Sequence, residues 1–578
     1  MPNSWLPSLF RQFLRKGVDS ESQLHLHRET LPWISSPIEK THNIPHLHRN
    51  SDATPIELFF DLFFVANLST FTATHEINNV KAHIDGLTVI LALGAYIGFL
   101  GIIWFTWLQV TLFDIRFARD SVFERTCKAF QLGAMVGFAS AGSRFTTHVQ
   151  DENVWAFQSL SLILAGSRSL LAIQYTVNVY FIRKSMRPTA RGLLYTAAAF
   201  WTTTLFYIGM YFAFSRAYEI RARIWTVWFV LFGVETWTVM GISFGFAGIG
   251  FQETHLNVRM GLLTLIIIGE GVIAITRIVN KTVRPGGWTK WSFVHILGVT
   301  TNVYLLWQVY FDVSPRRHLG KVSQQLWCQL HFPFHVALIL LLEGSQILAL
   351  TLDVTLKLRY LAETFSFVCE EPRPSAERAV GLIRSTIADM EIPFSRGATQ
   401  EWTAISSLLE NLAEQPLCLE SSPDIGTLDL KYTEDLFNDL MGNVTAALFS
   451  SMDITLSNKV DINLLDNQQL FHMYMKVLAF VYIYFFVVAS LLMGLFTAFL
   501  VLSRRHELWL HQGLSMAVRI SLAIFLASLV SFASHFPLAF AFMKSPIILY
   551  AFTLTLLTGL YLPSVPLTSI LIGRSAPC

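Results

Sequence analysis

The chain has 578 residues, of which 53% are hydrophobic and only 14% charged, and its mean hydropathy is +0.47. A soluble surface needs roughly 25% charged residues, so a string of soluble domains is excluded and most of the chain belongs in lipid. The net charge of +2 says little as a total, but the basic excess lies in short loops and the N-terminal tail, where it orients helices rather than binding nucleic acid, and five cysteines are too few for a disulfide scaffold.

Residues 1–52 form a polar, cytoplasmic tail without a cleavable signal. Trp5, Leu6, Leu9, Phe10, Phe13 and Leu14 recur at helical spacing with Arg11, Arg15 and Lys16 between them, which predicts a basic helix lying on a membrane surface. A mitochondrial presequence is the alternative, because no acid precedes Asp19. A spanning helix needs about 20 mostly apolar residues. Spans are predicted at 56–76, 86–112, 126–147, 154–182, 192–214, 224–250, 259–279, 291–311, 330–352, 473–502, 514–542 and 546–572. The fold class is therefore all-α, a polytopic integral membrane protein with about twelve transmembrane helices.

Basic loops orient these spans. Arg116, Arg119 and Arg125 follow span 2, Arg183 to Arg191 follow span 4, and Arg504 and Arg505 follow span 10. The positive-inside rule then puts the N-terminus in the cytoplasm of a plasma-membrane or endomembrane protein, although Arg216, Arg221 and Arg223 fall on the other side. The segment 353–472 is acidic: its stretch Thr355–Leu470 holds 18 acids and 8 bases, a net −10, against +12 for the rest. It lies outside in this orientation, as an insertion between the membrane regions 53–352 and 473–578. Asn443 begins an N-x-T triplet, a glycosylation acceptor usable only there. Cys369 and Cys418 are candidates for a disulfide in the same segment.

The two halves echo each other. Trp107-Leu-Gln-Val-Thr-Leu-Phe-Asp114 recurs as Trp307-Gln-Val-Tyr-Phe-Asp312, Gly142-Ser143-Arg144 as Gly344-Ser345-Gln346, and Asp61 to Ala66 as Glu270 to Ile275. An offset near 200 residues in each case predicts two related six-helix halves, with a binding site between them.

Charges inside lipid cost about 2.5–3.5 kcal/mol each on insertion scales, so they must face protein or water. Glu57, Asp61 and His75 share one face of span 1, and Arg259 and Glu270 one face of span 7, where Gly269 and Gly271 admit a close neighbour. This pattern points to an ion or proton path with Asp61 and Glu270 as its sites, Glu57 and His75 along it and Arg259 as charge partner. Structural ion pairing is the competing explanation, with Arg144, Arg168, Glu235, Glu343 and Arg116 as candidates. Glu57 also suits the start of a helix after Pro55. His331 and His335 have the spacing of a helical metal pair, but Pro333 intervenes and no H-E-x-x-H follows, so no metal is expected. Trp104 and Trp107 read as interface anchors. The absence of a phosphate-binding loop, a nucleophile elbow and a C-x-x-C pair argues against an enzyme and against a cofactor. A lipid-modifying enzyme would need His75, His295, His331 and His335 gathered near carboxylates.

The run Glu57-Leu-Phe-Phe-Asp61-Leu-Phe-Phe-Val65 resembles the opening signature of the low temperature requirement protein A (LtrA) family. Trp107 to Phe117 with Asp120, Arg259 to Leu263 with Gly269-Glu270, and Trp307 to Asp312 follow in that family's order. The resemblance implies a multi-pass membrane protein named for growth in the cold, and groups Glu57, Asp61, Arg116, Arg259 and Glu270 into one site. It supplies no substrate. The leading expectation is a secondary transporter or ion pathway whose partners are the bilayer and a small ion or proton; the alternative is a membrane scaffold or sensor whose outer segment binds a partner.

Overall fold

In the computed structural model the chain is described over residues 31–561, apart from 42–43, 48–51, 75–85, 147–148, 150, 216–223, 247, 253, 283–289, 316–318, 371–375, 391–398, 414–426, 452–466, 504–509 and 535–546. A short antiparallel hairpin, β1 (Ile38–Thr41) and β2 (Ile44–Leu47), pairs Ile38 with Leu47. Helices follow throughout: α1 (Pro55–Thr74), α2 (Gly86–Phe117), α3 (Val122–Gly142), α4 (Val154–Ile182), α5 (Arg187–Ala213), α6 (Val227–Gly245), α7 (Leu256–Thr282), α8 (Lys290–Val313) and α9 (Lys321–Glu370). Three shorter helices, α10 (Ala376–Ala388), α11 (Thr399–Ala413) and α12 (Thr427–Ser451), precede α13 (Asn467–Ser503), α14 (Leu510–Leu529) and α15 (Ile547–Tyr561).

Among the described residues nine helices are long and apolar enough to cross a membrane: α1, α2, α4 to α7, α9, α13 and α14. The protein is thus an integral membrane protein by length and composition. Three predicted spans fall short of that standard. The helix α3 carries Glu124, Arg125 and Lys128 in its first two turns, the apolar run of α8 is interrupted by His295, Thr300, Thr301, Asn302 and Gln308, and α15 has only 15 residues. Large apolar side chains ring the outside, among them Trp237 at 80% exposure and Leu205 at 68%. A water-facing surface does not show such a belt; a lipid-facing one does.

Neighbouring helices alternate in direction. The loop between α2 and α3, the start of α1 and the start of α7 all lie at one end of the bundle, called here the mouth. The residues 31–36 strap across it. Carbonyls of Pro32 and Trp33 accept the otherwise orphan N–H groups of Val122 and Phe123 at 3.1 Å each. Ser121 caps the same helix through the N–H of Glu124. Arg119 donates to the Ser36 carbonyl at 3.0 Å and Ser35 to that of Asp120 at 2.9 Å.

The helix α9 corrects the predicted boundary at 352. It continues unbroken for 50 residues, about 75 Å at 1.5 Å per residue, so it leaves the bundle at the end opposite the mouth. There α10 and α12 pack on it, α12 also on α13, and α11 on α10 and α12, with Phe365 stacked on Phe437 at 3.7 Å between ring centres. The predicted surface helix at 5–14, His75 and Cys418 lie outside the described residues, as does the side chain of Cys369.

Candidate functional site

Four layers of polar side chains run inward from the mouth, between α1, α2, α7, α8 and α9. The first begins where α1 starts. Pro55 occupies the first turn, Glu57 accepts the Thr54 N–H at 2.8 Å, and the carboxylate also meets His255 Nε2 at 3.1 Å. Beside it Lys128 of α3 pairs with Asp114 of α2, both nearly closed off, and its ammonium lies 5.0 Å from the Phe60 ring centre. Glu57, Asp114 and Lys128 line a vestibule of about 1410 Å³ whose walls include Ile34, Phe59, Arg119 and Glu124. Burial pushes the Glu124 carboxyl up to about 7, against a Gln174 amide that donates to it at 2.6 Å. On the rim Asp120 is held below the usual carboxylate range by its bidentate bond to Arg125.

The second layer lies one turn deeper. Asp61 accepts two bonds from Arg259, at 2.6 and 2.7 Å, and a third from the Trp107 indole at 2.7 Å. Asp61 and Arg259 are both fully buried, and the Arg259 Nε finds no acceptor. The two acid–base rungs share one geometry. Glu57 meets His255 and Asp61 meets Arg259 at the same separation of 198 residues. The helices α1 and α7 therefore run parallel, with spacings of four on each that keep both rungs on facing sides.

About 8 Å further along α7 comes a layer without carboxylates. The Trp104 indole donates to His335 Nδ1 at 3.0 Å, and His335 Nε2 bonds Thr264 Oγ1 at 2.8 Å. The Tyr310 hydroxyl stands beside Thr264 and bonds His331 Nε2 at 2.9 Å, while His331 Nδ1 donates to the Trp327 carbonyl at 2.7 Å. None of these groups is more than 1% exposed. Pro333 lies between the two histidines on α9 and leaves that turn without one of its backbone bonds. The fourth layer is about 12 Å beyond His335. There buried Glu343 stands beside Tyr96, whose hydroxyl bonds Thr72 at 2.9 Å. Gly271 brings α7 against α9 nearby: a Cβ there would sit 2.7 Å from Leu342.

The residues singled out in the sequence are distributed unevenly over this column. Glu57, Asp61 and Arg259 come together as one ladder. Glu270 does not join it. It lies eleven residues past Arg259, about 16 Å along the helix axis, half-buried at the depth of Glu343. The expected convergence of Asp61 and Glu270 is thus corrected: parallel helices match residues of equal depth, and these two differ in depth. Arg168 and Glu235 form a separate buried pair at 3.0 Å between α4 and α6, with Thr106 on the other side of the guanidinium. Arg116 is buried too, bonding Tyr175 at 2.8 Å and Ser243 at 3.2 Å. Arg144 is exposed at the end of α3. Asn443 lies within α12, and the Thr445 hydroxyl of its triplet is buried and donates to Met441 O at 2.6 Å.

Trp104 and Trp107 are not interface anchors; both are fully buried hydrogen-bond donors at the centre of the column. Sequence reasoning missed His255, Lys128, Thr264 and Tyr310. His255 carried a readable signal, since His255 and Arg259 repeat the spacing of Glu57 and Asp61. No cluster of three or more His, Cys, Asp or Glu residues able to hold a metal occurs among the described residues.

A polytopic helical membrane protein with ion-paired layers between its first and seventh helices is the class that fold and site define. Residues 52–365 match the family model of the bacterial low temperature requirement A protein (LtrA), more than half of the chain, and the protein belongs to that family. No curated protein and no solved structure matches it.

Proposed function

We propose that this protein is a secondary transporter or ion pathway, and that the polar column is its route. The observation that carries this reading is the succession of ionisable groups at separate depths. Charged residues in lipid face a pathway or a partner. Here Glu57, Asp114 and Lys128 open on the vestibule, Asp61 and Arg259 lie behind them, and Glu343 and Glu270 lie near the opposite end. The dry Asp61–Arg259 rung closes the column in this conformation, so passage requires that the rung opens.

The same reading takes the architecture as twelve crossings in two related halves. Helices α3 and α8 each connect elements at opposite ends of the bundle, and α15 packs along α8, which supports counting them with the nine apolar ones. Neighbour relations repeat as well. Helix α1 packs on α3 and α7 on α9; α3 packs on α4 and α9 on α13; α4 packs on α5 and α13 on α14. The column then runs along the seam between halves.

The test is flux in proteoliposomes. Asp61→Asn removes one charge of the closing rung and Glu270→Gln the half-buried acid beyond it, and each is expected to change ion flux well beyond the scatter between preparations. Flux equal to wild type in both folded variants defeats the proposal. That outcome favours the second reading, a scaffold pinned by structural pairs, which the full neutralisation of Asp61 and of Glu235 supports.

A further inference from the structure

The third layer decides what could pass. A hard cation such as sodium or calcium needs several oxygen ligands. At this depth it would meet two imidazoles, two indoles and two hydroxyls, all buried, and the Trp104 N–H points its hydrogen into the layer. Indole nitrogen donates only, and none of the six side chains is an acid. What the layer does hold is a row of groups that can both give and accept a hydrogen: His335, Thr264, Tyr310 and His331, with the Thr264 hydroxyl donating to the Met260 carbonyl at 2.9 Å in this conformation and Tyr310 standing beside it.

We propose that the species carried is the proton, handed along this line; the inference rests on the pathway reading above. The bonding pattern fixes the starting state. Nδ1 of His335 accepts from Trp104, so its hydrogen is on Nε2 and points to Thr264. Nδ1 of His331 donates to the Trp327 carbonyl, so its free lone pair is on Nε2 and faces Tyr310. The two rings therefore present a donor and an acceptor to opposite ends of the hydroxyl pair. When the Trp104 indole moves aside, His335 takes a proton at Nδ1. The Thr264 hydroxyl turns from the Met260 carbonyl to Tyr310; the His335 Nε2 proton then passes to Thr264 Oγ1, the threonine hydrogen to Tyr310 Oη, and the tyrosine hydrogen to His331 Nε2. Each O–H or N–H broken is matched by one formed. The charge that arrived on His335 ends on His331, and neither ring passes through an anion. Pro333 supplies slack in the turn that holds both rings.

Solid-supported membrane electrophysiology on proteoliposomes of the full chain separates the outcomes. Steps of pH at constant salt should give currents, and steps of sodium or potassium at constant pH should not. The pH-step current should slow in D2O, which requires no substitution. His335→Phe and Tyr310→Phe should each lower it by about tenfold or more, the scale of losing one positioned proton-transfer group. Tyr310→Phe deletes a single oxygen, so it keeps the test alive where the histidine variant fails to fold. Sodium or potassium currents without pH-step currents overturn the proton assignment and leave the pathway reading standing. A pH-step current unchanged in Tyr310→Phe and in folded His335→Phe overturns the relay. No current under any gradient defeats the pathway reading itself.

Discussion

Asp61 illustrates why a buried acid has to be read with its partner. Removing one member of a closed ion pair leaves the other charge without compensation, at about 3–5 kcal/mol. Replacing both with apolar groups removes that penalty. The singles Asp61→Leu and Arg259→Leu should therefore lower the melting temperature in detergent sharply, and the double variant should regain most of the loss. Additive losses would mean that the two side chains do not act as a pair. Glu124 is a pH-dependent site near the same vestibule. Burial raises its folded-state value to about 7 from the usual 4.5, so the folded protein favours the protonated acid. The native state then binds more protons than the unfolded chain between those values, and stability falls as pH rises through that interval. Melting between pH 4.5 and 7 should show a decline that Glu124→Gln flattens; an identical decline in the variant assigns it to other groups.

At the level of single helices the sequence was legible where lipid makes a charge costly. Glu57 and Asp61 stood out on α1 because four-residue spacing puts them on one face, and that face meets α7. Ends were harder. Hydropathy drops after residue 352, but α9 continues, because ion pairs at spacing four, the largely buried Asp353 with Lys357 and the exposed Arg359 with Glu363, suit a helix outside lipid as well as in it. The partner of each charge was legible only in part, since Lys128 and Thr264 reach the column through packing that no local pattern encodes. The strap over the mouth belongs to this scale. Its attachments are backbone carbonyls of residues 32, 33 and 36 and the single hydroxyl of Ser35, so its sequence gives little hint that it docks. Arg119→Ala deletes the bond to Ser36, and a bond from a charged donor is worth about 1.5–3 kcal/mol. Hydrogen exchange in residues 31–36 should speed up by about tenfold or more, with α4 and α5 unchanged. Unchanged exchange in the strap would show that the Pro32 and Trp33 carbonyls hold it without Arg119.

For the molecule as a whole, direction along the column fixes which loops share a side. Helices α1 and α7 both start at the mouth, since Glu57 meets His255 there. Helix α8 therefore returns to it, and α9 leaves it. The Ser503 hydroxyl bonds the carbonyl of Val313, the last residue of α8, at 2.8 Å, so α13 also ends at the mouth and begins at the far end. Helices α10 to α12 must then lie on the side opposite the strap, whichever side is cytoplasmic. Single cysteines introduced at exposed positions in a background without the native five test this. Trp33→Cys in the strap and Lys184→Cys between α4 and α5 should react with a membrane-impermeant maleimide from one side of sealed vesicles. Glu410→Cys in α11 should react only from the other. Labelling of Trp33→Cys and Glu410→Cys from the same side would require an even number of crossings between them, instead of the nine helices α1 to α9. That result would remove α3 or α8 from the count of crossings and break the correspondence between the two halves.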